Sequence, residues 1–221
     1  MKHIRLFTLT ALLLAPLATL HAAGPNPPEG FRALFNGNDL AGWHGLNPHT
    51  GAKFTGEKKD ANLRQQREDF PNHWRVENGE LVNAGTGPYA TTDGEFGDIE
   101  LHLEYKTVAK ADSGIYLRGT PQVQIWAKPE GSGALWNNKT HPNRPLKIVD
   151  RPPGQWNRFR ILMTGEQVTI LLNDELIVQN VTLENYWERD KSVYPTGPIE
   201  LQAHTTRVYF KNIYVRAIPH R

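Results

Sequence analysis

Between Phe96 and Trp126 the chain reads FGDIELHLEYKTVAKADSGIYLRGTPQVQIW, and its first strand-length run alternates strictly. Ile99, Leu101, Leu103 and Tyr105 fall on one side of a pleated strand, while Asp98, Glu100, His102 and Glu104 fall on the other. A half-buried strand usually spreads Thr, Ser, Lys and Gln over its polar face. This one concentrates titratable groups. After a short polar connection, Ile115, Leu117, Val123 and Ile125 resume the apolar side, which puts Tyr116, Arg118, Gln122, Gln124 and Trp126 opposite. Read as neighbours, the two stretches offer acids, a guanidinium, amides and an indole to one surface, the mixture that a sugar-handling face uses.

The rest of the chain continues the same theme. Ala33 to Phe35 is a short apolar strand, followed by a turn at Asn36-Gly37 and by Trp43, which is expected to pack into the core. HWRVENGELVNAG is a hairpin about Asn78-Gly79. Strands are expected at Asn157–Met163, Gln167–Leu172, Glu175–Gln179, Ile199–His204 and Arg207–Val215. In the fourth of these, Ile199, Leu201 and Ala203 point inward and Glu200, Gln202 and His204 face the other way. Asn47 to Pro71 is polar, without apolar periodicity, and reads as a long loop with a helical turn around Ala61 to Arg67. Many short strands with frequent turns predict an all-β jelly-roll sandwich of two antiparallel sheets, with the ionisable face on the concave one.

The 221 residues are enough for one domain with a substantial core. A balance of 25 Lys+Arg against 23 Asp+Glu gives no basic stripe for a nucleic acid. Lys2, His3 and Arg5 precede an apolar run from Leu6 to Leu20, which is followed by the small residues Ala22 and Ala23, so residues 1–23 read as an export signal. That run is too short and too broken for a stable membrane anchor. Residues 24–30 read as an extended leader and 31–221 as a single β-sandwich domain, periplasmic or secreted. With no cysteine, the core must hold the fold without disulfides.

LFNGNDLAGW, the NGEL hairpin, FGDIELHLEYK, DSGIYLRG, PQVQIW, GQWN and PIELQAH followed by VYFKNI occur in an order and spacing that resembles the 3-keto-disaccharide hydrolase family, from Phe31 to Ile218. That family is described as 3-keto-glucoside 1,2-lyase and 3-keto-2-hydroxy-glucal hydratase. The resemblance implies a concanavalin A-like jelly roll with its site on the concave sheet. It also implies a small 3-keto carbohydrate as substrate, a sugar 3-dehydrogenase to supply it, and no nucleotide cofactor. The chain departs from the family where Asp112 stands for a frequent Asn, Ala127 for an Asp, and Ala203-His204-Thr205 for Asp-His-Gly.

A ketone at C3 acidifies the proton at C2, so a base can form the enolate and expel the C1 substituent by β-elimination, and hydration completes a net hydrolysis. One base, one enolate stabiliser and one proton donor suffice. Glu104 and His204 are the candidates for base and acid. Arg118, or one divalent ion (Ca²⁺, Mg²⁺ or Mn²⁺) held with Glu104 and His204, is the candidate oxyanion stabiliser. Gln124, Asp112 and Lys106 are candidates for binding hydroxyls, and Trp126 and Trp136 for stacking on a sugar ring. Two other readings are a non-catalytic lectin-like domain and an ordinary glycoside hydrolase, for which Asp98 and Glu100, about 7 Å apart along the strand, are the available acid pair.

Overall fold

The computed structural model describes residues 26–219; the expected export signal and the first residues of the leader lie outside the described residues. In chain order the elements begin with β1 (Arg32–Ala33), β2 (Trp43–Gly45), α1 (Pro48–Gly51), α2 (Gly56–His73), β3 (Trp74–Glu77) and β4 (Glu80–Asn83). β5 (Ala90–Thr92), β6 (Ile99–Thr107), β7 (Asp112–Tyr116) and β8 (Gln122–Trp126) follow. The chain continues through β9 (Trp156–Thr164), β10 (Gln167–Leu172), β11 (Glu175–Thr182), β12 (Glu200–Leu201) and β13 (Val208–Ala217).

These strands form two sheets, and every pairing is antiparallel. The larger runs β11-β10-β9-β6-β13-β4-β3, with β1 added against β13, and the smaller runs β2-β5-β12-β7-β8. This is the jelly-roll sandwich that the alternation predicts. Leu101, Leu103, Phe159, Ile161 and Phe210 of the larger sheet meet Ile115, Val123, Ile125, Ile199 and Leu201 of the smaller one in a single buried core. Trp43 joins that core and donates its indole N–H to the Leu34 carbonyl at 2.8 Å. The Asn78-Gly79 turn has φ of 52° and 78°, the left-handed pair that a two-residue hairpin needs.

Two expectations fail. The segment expected as a loop contains α1 and the 18-residue α2. Glu, Lys, Ala, Leu, Arg and Gln are good helix formers, but only Gln66 and Phe70 of α2 are buried, so the sequence shows no apolar stripe. The helix settles on β2 because Gly45 has no side chain; a Cβ there would lie 2.3 Å from the Gln66 carbonyl oxygen and 2.9 Å from Phe70 Cβ.

The second failure matters more for function. β6 and β7 do not share a surface: β6 lies between β9 and β13 in the larger sheet, whereas β7 lies between β12 and β8 in the smaller one. The polar face of β6 therefore forms the outside of the larger sheet, and its charges are spent on one another. Glu100, 3% exposed, accepts from Arg160 at 2.6 Å, from His102 at 2.9 Å, and from Arg216. Burial opposes its ionisation, but the bonds from His102, Arg160 and Arg216 outweigh it and bring its pKa down to about 2. A carboxylate depressed in the folded state adds stability above its ordinary pKa and loses that contribution as pH falls through the depressed one. Glu100→Gln is accordingly expected to cost about 3 kcal/mol at pH 7 and clearly less at pH 3. Urea unfolding of parent and variant at both pH values measures this, and an equal loss at the two would refute it.

Candidate active site

Strand register assembles the concave face. His44 of β2, Thr91 of β5, Glu200 of β12, Tyr116 of β7 and Gln122 of β8 are successive cross-strand partners, so they form one row on one side of the smaller sheet. Alternation adds Asp112, Gly114, Gln124 and Trp126, along with Tyr89 just before β5 and Gln202 just after β12. Over this face lies a cleft of about 350 Å³, lined by His49, Tyr89, Asp112, Tyr116, Gln122, Gln124, Trp126, Trp136, Asn137, Tyr186, Gln202 and His204.

Its floor is a chain of amides. Gln122 Nε2 donates to Gln124 Oε1 and to Gln202 Oε1, both at 3.0 Å, and Gln202 Nε2 donates to the Tyr89 hydroxyl at 3.1 Å. Gln124 Nε2 donates to Asp112 Oδ1 at 2.8 Å. Gly114 makes room for this chain, since a Cβ there would lie 2.4 Å from Gln122 Nε2. Amides fixed among themselves keep one orientation and offer their remaining lone pairs and N–H groups to a hydroxylated ligand. Trp126 and Trp136 form the wall, edge to face with centroids 5.0 Å apart, and Trp136 remains 55% exposed. An exposed indole beside fixed amides suits the apolar face of a sugar ring.

Two groups that carry protons stand apart in this cleft. His49 sits in the first turn of α1, where Asn47 Oδ1 accepts from the backbone N–H of His49 at 3.0 Å and of Thr50 at 3.3 Å. Asn47 in turn donates its N–H to Gln66 Oε1 of α2 at 2.5 Å, so the long polar helix fixes the short one. The His49 ring packs against Tyr186 and Trp187, with centroids at 5.2 and 5.1 Å, and its Nε2 lies 3.0 Å from the Tyr116 hydroxyl. Burial, assisted by the charge of Lys53, holds its pKa below the usual imidazole range, which keeps the ring neutral near pH 7. Burial also pushes the Tyr116 and Tyr89 phenols up, so both remain O–H donors. The other carrier is His204, whose Nδ1 lies 3.8 Å from Asp112 Oδ2, with Lys128 Nζ 3.6 Å from the same oxygen.

Of the residues selected from the sequence, Asp112, Gln124, Trp126, Trp136 and His204 come together here. Glu104, Lys106 and Arg118 do not. Glu104 is on the outer face of the larger sheet, where Asn212 Nδ2 donates to it at 2.9 Å and Lys211 lies 3.6 Å away. Lys106 shares that face, paired with Glu80 at 3.1 Å and set over the rings of Trp156 and Tyr209. Arg118 is 4% exposed and clamps the sandwich edge; it donates to the carbonyls of Gly97, Gly165 and Tyr194 and to Asp98 at 2.8 Å. Its donors are committed to the fold. Asp98 and Glu100, the pair considered for an ordinary glycosidase, are likewise outside the cleft, held by Arg118 and by the outer ion-pair group.

The expected metal set fails on the same ground. Glu104 and His204 belong to opposite sheets and cannot share an ion, and among the described residues no group of three or more His, Cys, Asp or Glu converges to hold one. Asp112 and His204 alone are an incomplete donor set for a divalent ion. The residues that sequence reasoning did not select are His49, Tyr89, Tyr116, Gln122, Asn137, Tyr186 and Gln202. Asn47-Pro48 was the available signal for the first of these, because an N-cap followed by proline marks a helix start.

Fold and cleft together define a jelly-roll protein with an enzyme-like groove on its concave sheet. The chain belongs to the 3-keto-alpha-glucoside-1,2-lyase-like domain family, which matches residues 30–216. A curated relative from Bacteroides thetaiotaomicron, named 3-keto-disaccharide hydrolase, is 21% identical over 256 residues, covering 88% of this chain and 80% of the relative. A solved protein of Parabacteroides distasonis ATCC 8503, described provisionally as a glycosyl hydrolase, superposes with a TM-score of 0.65 at 20% identity, covering 89% of this chain and all of that one. A second structure of the same description and source gives 0.64 at 20% identity over 93% and 95% of the two chains.

Proposed function

We propose that this chain is a carbohydrate-acting enzyme that cleaves 3-keto glycosides by removing the proton at C2 and eliminating the C1 substituent, with addition of water completing a net hydrolysis. One observation carries this reading. Asp112 is the only carboxylate among the described residues lining the cleft, whereas two imidazoles face it. Ordinary glycoside hydrolysis calls for two carboxyl groups across the scissile bond. Elimination beside a ketone calls for one unprotonated base and a separate proton donor, and does not need a second carboxyl.

His49 takes the C2 proton at Nδ1 as a neutral imidazole, in the tautomer whose Nε2–H donates to the Tyr116 oxygen and so leaves the Tyr116 O–H free. The electron pair moves into the C2–C3 bond and the charge onto the ketone oxygen, where the phenol O–H groups of Tyr89 and Tyr116 stabilise it. Collapse of the enolate breaks the C1–O bond, and His204, beside Asp112, returns a proton to the departing oxygen. The amide floor holds hydroxyls and Trp136 carries a ring face. A sugar 3-dehydrogenase must supply the ketone, and the protein acts in the periplasm or outside the cell.

The test offers purified protein 3-keto-trehalose and trehalose side by side, following enone absorbance and released sugar. Turnover of the keto form alone is expected. Equal cleavage of trehalose would reinstate the ordinary glycosidase, and tight binding of both sugars without turnover would leave a lectin-like domain.

A further inference from the structure

Glu200 occupies the middle of the concave sheet, between Thr91 of β5 and Tyr116 of β7. It is 1% exposed, it does not line the cleft, and its Oε2 has no hydrogen-bond partner. A carboxyl taken out of water without a cation stays uncharged and costs stability. Such a group beneath the floor of a cleft needs a reason. We propose that Glu200 is a positioning residue for the His49–Tyr116 pair, acting through the phenols beside it rather than on substrate.

The argument rests on the reading of His49 as base. Glu200 is electrostatically coupled to both Tyr89 and Tyr116. While it is uncharged, it gives the phenols, one of which holds His49, a polar neighbour in an otherwise dry place without placing a charge beside them. Ionised, it would set a negative charge one strand from Tyr116, opposing the negative charge that the two phenols are argued to stabilise on the ketone oxygen. The other titratable groups around it are His44 with its partner Asp93 from the β2 side, Tyr89, Tyr116 and Asp112 on the same sheet, and His49 and Tyr186 from the segments above. Burial raises its pKa well above the ordinary carboxylate value.

The sign of the stability effect follows. Folding keeps a proton that the unfolded chain sheds above its ordinary carboxylate pKa, so this group makes the fold less stable as pH rises. Two variants test the proposal, Glu200→Gln, which resembles the neutral acid, and Glu200→Met, which keeps volume and removes polarity. Glu200→Gln is expected to be more stable than the parent at pH 8, by a margin that shrinks at pH 5. With 3-keto-trehalose it should keep turnover within about threefold at pH 7 and hold it at alkaline pH where the parent declines, while Glu200→Met loses kcat about tenfold or more at unchanged KM. A stability margin that does not change with pH, or full turnover by Glu200→Met, would overturn the role of Glu200. Full turnover by His49→Asn would instead sink the base assignment and, with it, the pair that Glu200 is argued to position, while leaving the stability comparison as it stands.

Discussion

Replacing His49 by Asn is expected to lower kcat on a 3-keto-α-glucoside by about 10² to 10⁴, the range a positioned general base supplies, with little change in unfolding midpoint. The side chain lies in a four-residue helix held by Asn47 and Gln66, and none of the hydrogen bonds that hold that helix uses the imidazole. The pH profile of the parent adds a second readout. A base must be unprotonated to act, so on the acid side kcat/KM should fall when pH drops through a value below the ordinary imidazole range, in keeping with the desolvated ring. Glu104→Gln, on the outer face of the larger sheet, is the matched control and is expected to leave turnover unchanged. If Glu104→Gln were the damaging variant and His49→Asn the silent one, the assignment of the active face would be reversed.

The second large effect concerns His204 and depends on the leaving group. An alkoxide departing from a disaccharide needs a proton, whereas 4-nitrophenolate does not. His204→Asn should therefore reduce kcat on 3-keto-trehalose by about 10² or more and have a much smaller effect on a 4-nitrophenyl 3-keto-glucoside. Asp112→Asn keeps an acceptor for Gln124 Nε2 and removes only the charge beside His204, so its effect should be smaller than that of His204→Asn. Equal losses on both substrates would instead assign His204 to binding or to the enolate.

How much of this was legible in the sequence depends on which physical signal each residue carries. Alternation correctly grouped Gln122, Gln124 and Trp126, and Glu200, Gln202 and His204, because a pleated strand has no other way to sort them. It also grouped Asp98, Glu100, His102 and Glu104 correctly among themselves. What it lacks is any statement of which sheet a strand joins. Val108 to Ala111 is long enough to pass from one sheet to the other, and that passage turned Glu104 and Lys106 away from His204. Arg118 looked like part of a polar face because alternation was carried past the end of β7, where φ of 51° at Arg118 has already broken the pleat. His49 was hidden for a different reason. A helix that buries almost nothing leaves no periodic trace, and its function here is to hold a neighbouring histidine rather than to fill the core.

The strand order also dictates when the groove can exist during folding. β12 is inserted between β5 and β7, and β13 between β6 and β4, so each sheet receives an interior strand from the C-terminal part of the chain. Contacts so distant in sequence form slowly, after much loop-closure entropy has been spent. A nascent chain that has reached only Thr182 holds β1 to β11 but has a gap in both sheets and lacks Glu200, Gln202 and His204. Closing the gap in the smaller sheet and bringing Gln202 and His204 to the cleft thus depend on one C-terminal segment, and a chain that ends before it is expected to lack the proposed activity.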